Sequence, residues 1–234
     1  MPFFFGFDPT FVLLLPAMAF ALWAQWKVRS TYQKFAQVPA ANGMTGEAMA
    51  RAIMQRNGVT DVRIEEIGGQ LSDHYDPGAH TVRLSPDIYE GHSIAAIAVA
   101  AHEVGHVLQH HRGYVPLSLR ASFAPVAGIG SSLAMPLFFI GLLFSRSMPF
   151  SGVLMDLGIV FFAGAVLFHF VTLPVEFDAS RRALAQLTES GAVMPQEVAG
   201  AKKVLDAAAL TYVAAAAMAA LQLMRLVLLR GNRR

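Results

Sequence analysis

The sequence predicts a mainly α integral membrane protein, with about four transmembrane helices and a small α+β extramembrane domain. Three observations predict it. Of 234 residues, 55% are hydrophobic and only 15% charged, and the mean hydropathy is +0.47, too apolar for an ordinary soluble domain. Four stretches approach or exceed the roughly 18–20 apolar residues that cross a bilayer as a helix. Between the first and second of these, the chain turns polar and changes its hydrophobic period from helical to alternating and back.

The first span runs from Pro9 to Trp26 without a charge. Trp23 and Trp26 suit a membrane interface, and Lys27 and Arg29 follow. A cleaved signal peptide is the alternative, but Met1 to Phe7 lacks the positive n-region of such peptides. Residues 1–28 are therefore expected to form a retained transmembrane helix.

Residues 29–118 form the expected extramembrane domain. Thr45 can cap a helix through GEAMARAIMQRN, with Asn57-Gly58 as its stop. VTDVRIEEI alternates at Val62 and Ile64 like a strand. LSDHYDPGAHTVRLS reads as two extended pieces around Asp76-Pro77-Gly78, a hairpin signal, and Ser85-Pro86-Asp87 opens a short helical turn.

Residues 119–174 hold two further spans, Ala121 to Phe144 and Gly152 to Leu173, joined by SRSMPFS. So short a loop makes them antiparallel neighbours. Asp156 and His169 lie in the second of them and are expected to face protein or water, in packing or interface roles. Residues 175–206 are a polar segment with helices around ASRRALAQL and PQEVAGAKKVL. Residues 207–234 hold the last span, Ala207 to Leu229, where Arg225 is expected to snorkel, and a basic tail. Two spans separate the polar segment from residues 29–118, so both fall on one side of the membrane. Nine Lys/Arg lie between Lys27 and Arg120 and four between Arg181 and Lys203, against one in the short loop and three after the last span. This asymmetry makes the two polar regions cytoplasmic.

The chemistry concentrates in SIAAIAVAAHEVGHVLQHHRG, from Ser93 to Gly113. Ser93 is a plausible N-cap and Gly113 a plausible stop. Residues four apart on a helix lie about 6 Å apart along its axis on one face, so His102 and His106 can share one metal ion. Glu103 points to the side, where a carboxylate can take a proton from water instead of binding the metal. Gly105 costs the helix roughly 1 kcal/mol against Ala and is read as room for a close neighbour. His110 and His111 stand too far along the helix for the same ion and are expected to be exposed. A buried apolar helix that carries His, Glu and His needs partners to satisfy them.

With no cysteine in the chain, thiolate ligands, disulfides and cysteine nucleophiles are excluded. Two imidazoles then leave zinc in need of a third protein ligand and an open position for water. Glu176, just past Pro174 where a span meets the polar segment, is the first candidate; Asp178, His74, Asp76 and His80 are the others. The net charge of +2 is mild and the basic residues are scattered, which gives no support for nucleic-acid binding.

AAHEVGHVLQH, LSDHYDP, LPVEFDASRRAL and AALTYVAAA together resemble the YugP-type neutral zinc metallopeptidases, a bacterial family of multi-pass membrane proteins. The similarity covers nearly the whole chain. It implies a zincin-like domain in residues 29–118 and a zinc endopeptidase in the bacterial cell (inner) membrane, with one Zn2+ and a peptide or membrane-protein substrate. EFDAS also resembles the third-ligand segment of HtpX and CAAX prenyl protease relatives, which maps the third ligand onto Glu176; Glu103, from its place between the two histidines, is the expected general base. Ser180 stands where those relatives carry aspartate, which leaves Asp178 as a substitute partner for a zinc histidine. His74, Tyr75, Tyr114, Arg181 and Arg182 are the candidates for stabilising the oxyanion, and the segment Thr81 to Leu84 is the expected place for a substrate strand to pair. Two alternatives compete: a noncatalytic zinc-binding membrane scaffold, and an intramembrane protease of the site-two type. The residues give no oligomeric state.

Overall fold

The computed structural model describes residues 9–145, 147–191 and 193–232; Met1 to Phe7, Arg146, Arg233 and Arg234 of the sequence reading lie outside them. A short 3-10 segment, Pro9–Leu14, leads into α1 (Leu15–Ala36). There follow α2 (Gly46–Arg56), β1 (Arg63–Glu66), β2 (His74–Asp76), β3 (Thr81–Leu84), α3 (Pro86–Tyr89) and α4 (Ile94–His111). Three long helices complete the chain: α5 (Val115–Leu143), α6 (Ser151–Glu189) and α7 (Pro195–Gly231).

The segments Pro9–Ala36, Val115–Leu143, Ser151–Glu189 and Pro195–Gly231 are each long and apolar enough to cross a membrane. The protein is thus a mainly α membrane-type chain with a small mixed sheet. Two compact units result, one of Ala24–Ser118 with Leu173–Thr211 and the other of the remaining residues. α6 does not stop at Pro174 but continues to Glu189, and α7 takes in both PQEVAGAKKVL and the last apolar run. Residues Leu173–Thr211, which hold the polar segment, group with Ala24–Ser118. Within an apolar span the lost hydrogen bond at a proline is tolerated where neighbouring groups compensate.

In the unit that holds the mixed sheet, local sequence determines the element ends. The Thr45 hydroxyl accepts from Ala48 N at 3.0 Å, and Gly58 leaves α2 at φ +70, a left-handed conformation that glycine adopts without steric cost. Ser93 caps α4 by accepting from Ala96 N at 3.1 Å, and Gly113 ends it at φ +62. A backbone clamp secures the start of α4: Ala40 N donates to His92 O at 2.7 Å and Ile94 N to Val38 O at 2.9 Å.

The sheet has the order β1-β3-β2, with β1 parallel and β2 antiparallel to β3. β3 is therefore the central strand, which corrects the expectation that Thr81 to Leu84 offers a free edge to a substrate. Both of its sides are already paired. The hairpin at Asp76-Pro77-Gly78 forms as read, with Asp76 Oδ1 accepting from Gly78 N and Ala79 N at 3.0 Å. Asp73 holds the same hairpin by accepting from Ser85 N at 2.7 Å, and burial pushes its carboxyl up from the ordinary value.

α4 is the centre of this unit. From Ile94 to Ala101 its small side chains are almost wholly buried, in a core shared with Met49 and Ile53 of α2, Val82 and Leu84 of β3, Leu187 of α6 and Leu205 of α7. Removing that apolar surface from water, at about 25 cal/mol per Å2, is what makes an alanine-rich helix stable as the core of the unit.

In the other unit, α5 and α6 pack through small residues: a Cβ at Gly158 would lie 2.7 Å from Ala134 O and one at Gly141 2.5 Å from Ser151 O. Phe138, Met155 and Leu226 fill its core. Asp156 pairs with Arg230, at 2.8 Å from Nε to Oδ1. Arg225 lies over the Phe11 ring at 5.5 Å and reaches Thr10 Oγ1 at 3.3 Å, so it packs against protein as well as lying near a helix end.

Candidate metal centre

The fourth turn of α4 and the last third of α6 meet at Gly105. A side chain there would overlap the carbonyl oxygen of Ala179 and lie 3.0 Å from its carbonyl carbon, so only glycine lets the two backbones approach this closely. The contact brings Glu176, one turn back along α6, onto the two histidines. Glu176 is 2% exposed, and its Oε2 lies 3.3 Å from His102 Nε2 and 3.6 Å from His106 Nε2. The three ligand atoms all fall within 4.8 Å of one another.

These separations test the fit to a metal. Donors bound tetrahedrally at about 2.0–2.1 Å from zinc stand about 3.4 Å from each other, which the separations of 3.3 and 3.6 Å bracket. As hydrogen bonds the same contacts are long. Two imidazole nitrogens and one carboxylate oxygen are also the donor types zinc takes. The field matches: burial disfavours a charged His106, yet the Glu176 hydrogen bond and the Glu103 and Glu176 charges outweigh it and raise the His106 pKa above the ordinary value. The pocket is built for a positive charge.

Glu103 lies on α4 beside this group, 7% exposed, and among the described residues its carboxylate accepts no hydrogen bond. Both histidines are held at their far nitrogens. His102 Nδ1 lies 3.2 Å from Ser180 Oγ, so the serine itself occupies the place of the expected aspartate partner. His106 Nδ1 lies 3.0 Å from Oε1 of Gln109, a residue with no exposed surface. Gln109 Nε2 donates to Val175 O at 2.7 Å and to Asp178 Oδ2 at 2.9 Å. Asp178 thus connects to His106 through Gln109, and Arg182 Nε reaches it at 2.5 Å, with Arg181 alongside.

The other candidates are engaged elsewhere. His74 Nδ1 donates to Ser72 O at 2.8 Å, and Asp76 pairs with Arg83 at 2.9 Å. His80 lies on Asp61 at 2.9 Å. The Tyr75 hydroxyl is 2.8 Å from His110 Nδ1; burial, with Asp61 and Asp76 nearby, pushes its pKa up to about 12, so it stays protonated at neutral pH. Tyr114 lies under the Arg182 guanidinium at 5.5 Å. Gln109 is not among the residues the sequence singles out. Its signal was a lone amide on a buried helix, three residues past His106 and on the same face.

The fold and the site define a membrane-type helical protein in which a buried helix and a long apolar helix bring together two histidines and a glutamate that could hold a metal ion. The chain is a member of the family described as "Putative neutral zinc metallopeptidase", which it matches over residues 10–231. It is similar to "Putative membrane protease YugP" of Bacillus subtilis (strain 168), 46% identical over 222 residues that cover 95% of this chain and 96% of the relative. No solved structure matches it.

Proposed function

We propose that the protein is a membrane-bound zinc metalloendopeptidase, with one zinc ion held by His102, His106 and Glu176 and with Glu103 as general base. The observation that carries this reading is the pair of separations, 3.3 and 3.6 Å, from Glu176 Oε2 to the two Nε2 atoms. They match two edges of a zinc coordination tetrahedron. The family and the relative named above support the same activity.

A bound zinc ion would polarise the scissile carbonyl and lower the pKa of water to about 7. The remaining work falls to the chain. Glu103, buried but with no hydrogen-bond partner among the described residues, is available to take the proton of the hydrolytic water and return it to the leaving amine. Ser180 and Gln109 orient the two imidazoles from behind. The substrate is a peptide or a membrane protein met at the bilayer surface.

Two features favour this reading over its competitors. α4 is not among the four apolar helices able to span, as an intramembrane site of the site-two type would require. A structural zinc site needs no Glu103, and the carboxylate stands beside the ligands with no hydrogen-bond partner among the described residues.

The test is metal content and peptide cleavage of detergent-purified protein beside Glu103→Gln. The variant is expected to keep its zinc and lose about 10²–10⁴-fold in turnover, the usual worth of a general base. Unchanged cleavage would end the catalytic role. The location proposed is a bacterial inner membrane with the metal centre on the cytoplasmic side, from the excess of Lys and Arg around it. Because the chain has no cysteine, one cysteine at Lys202 reports the side directly: an impermeant thiol reagent should label it only in opened cells.

A further inference from the structure

We infer that Gln109 is a positioning residue that selects the metal-binding tautomer of His106 and ties it to α6, with Asp178 as its anchor. The inference rests on the zinc reading above and adds to it a residue and a task.

The amide can be oriented from its partners alone. One end of Gln109 meets a backbone carbonyl, Val175 O, at 2.7 Å and a carboxylate, Asp178 Oδ2, at 2.9 Å. Both are pure acceptors under ordinary conditions, so that end is the NH2 and both of its hydrogens are used. The other end is therefore the carbonyl oxygen, which only accepts. It lies 3.0 Å from His106 Nδ1, so Nδ1 must carry the proton. A neutral imidazole with Nδ1–H has its lone pair on Nε2, the atom that faces Glu176 at 3.6 Å. With Nδ1 committed to Gln109, Nε2 is the atom His106 can offer to a metal, on the side where Glu176 stands.

Asp178 completes the logic. It is 4% exposed, and Arg181 and Arg182 hold it from the outer side. This keeps it an acceptor, so the amide cannot flip without facing Oε1 to a carboxylate and a carbonyl. All three polar hydrogen-bonding features of a fully buried glutamine are satisfied, and two of the three bonds cross from α4 to α6. Glu176 lies between Val175 and Asp178, the two residues Gln109 grips. The same amide thus sets the His106 ring and the stretch of α6 that delivers the carboxylate. At His102 the corresponding partner is a serine hydroxyl, which can donate or accept and so selects no tautomer by itself.

The experiment uses the full chain in detergent with zinc alone as ligand. Affinity is measured by competition with a chromogenic chelator, and the His106 Nδ1–H is followed as a downfield imidazole proton resonance in the zinc-loaded protein, identified through a His106 variant. Gln109→Met keeps length and burial but removes every hydrogen bond. It is expected to lose 10–100-fold in zinc affinity, the range for partners of ligating histidines, and to lose that resonance from its hydrogen-bonded position. Gln109→Glu offers Nδ1 an acceptor again, and a protonated second oxygen can still donate to Asp178; it should recover most of the affinity and the resonance. The glutamate variant also carries the test if the methionine variant does not fold, because an affinity as low as that of a His106→Ala protein would overturn the inference. Wild-type affinity and an unmoved resonance in a folded Gln109→Met protein overturn it as well. That result leaves the zinc reading standing, whereas a wild-type protein that binds no zinc removes both. Loss of peptide cleavage alone, with affinity and resonance intact, would also count against the positioning role.

Discussion

Along α6, the first half and the second half each approach a neighbouring helix closely, with different chemistry at the contact. At Gly158 the neighbours are Ala134 O and Phe138 of α5, and the surroundings are apolar: Phe138, Met155 and Leu226. At Ala179 the close partner is Gly105 of α4, and the surroundings are Glu176, Asp178, Ser180, His102, His106 and Gln109. Small residues let helices pack tightly in either setting. Only in the second does the approach bring together residues that could hold a metal ion. Close packing is therefore a general device of this chain, and the polar residues around it decide whether it yields a fold or a site.

The sharpest way to break the comparison is to remove the ligand while sparing the contact. Glu176→Ala keeps the α4–α6 packing and takes away one of three donors, so elemental analysis after dialysis should find the metal lost. Asp156→Asn, a carboxylate in the apolar half paired with Arg230, should leave the metal content unchanged. Full zinc retention in Glu176→Ala would point to another third ligand.

A step smaller is to spoil the contact while sparing the ligands. Gly105→Ala pushes a methyl group onto Ala179 and Gly158→Ala pushes one onto Ala134 and Phe138. Overpacking of this kind costs about 1–3 kcal/mol, so both variants should unfold at lower temperature. Gly105→Ala alone should also weaken zinc binding, because displacement of α6 by a few tenths of an ångström moves Glu176. Equal zinc affinity in the two variants would mean that the site tolerates the shift.

How much of this was legible in the sequence follows the range of the interactions. Local chemistry could be read directly: Thr45 and Ser93 as caps, Asn57-Gly58 as a stop, the turn at Asp76-Pro77-Gly78, and Gly105 as room for a neighbour. Glu176 could be reached by counting spans and by resemblance. Pairing across distance could not. Nothing in Arg63 to Glu66 says that it lies parallel to Thr81 to Leu84, so the strand taken for a free edge is the middle one. Pro174 reads as a helix boundary, because it removes a donor, but α6 passes through it. Gln109 was invisible for the same reason, since two of its three partners lie 66 and 69 residues away.

The two histidines offer a finer contrast. His106 has a buried amide behind it and His102 a serine hydroxyl. Ser180→Ala should therefore lower zinc affinity by about tenfold, the weak end of the range for such partners, and by less than Gln109→Met. Chelator competition ranks the two, and a reversed order would show that the serine is the stronger constraint.

The smallest expected effect lies away from the metal, in the hairpin that flanks α4. The Arg83 hydrogen bond, then the Ala79 and Gly78 amides, hold the Asp76 carboxyl below its ordinary pKa of 3.8. A folded-state pKa that is depressed contributes stability above the unfolded value and loses it as pH falls through the folded one. The window therefore opens near pH 3.8 and extends downward. Asp73 works in the opposite sense, because burial raises its pKa, so the total slope is not diagnostic of either residue. The difference between wild type and Asp76→Asn cancels Asp73. Thermal unfolding followed from pH 6 down to about pH 2 should show the two proteins converging below pH 3.8 as Asp76 protonates, with the asparagine variant less stable at the upper end. A constant gap across that range would mean that the carboxylate charge contributes nothing to the hairpin.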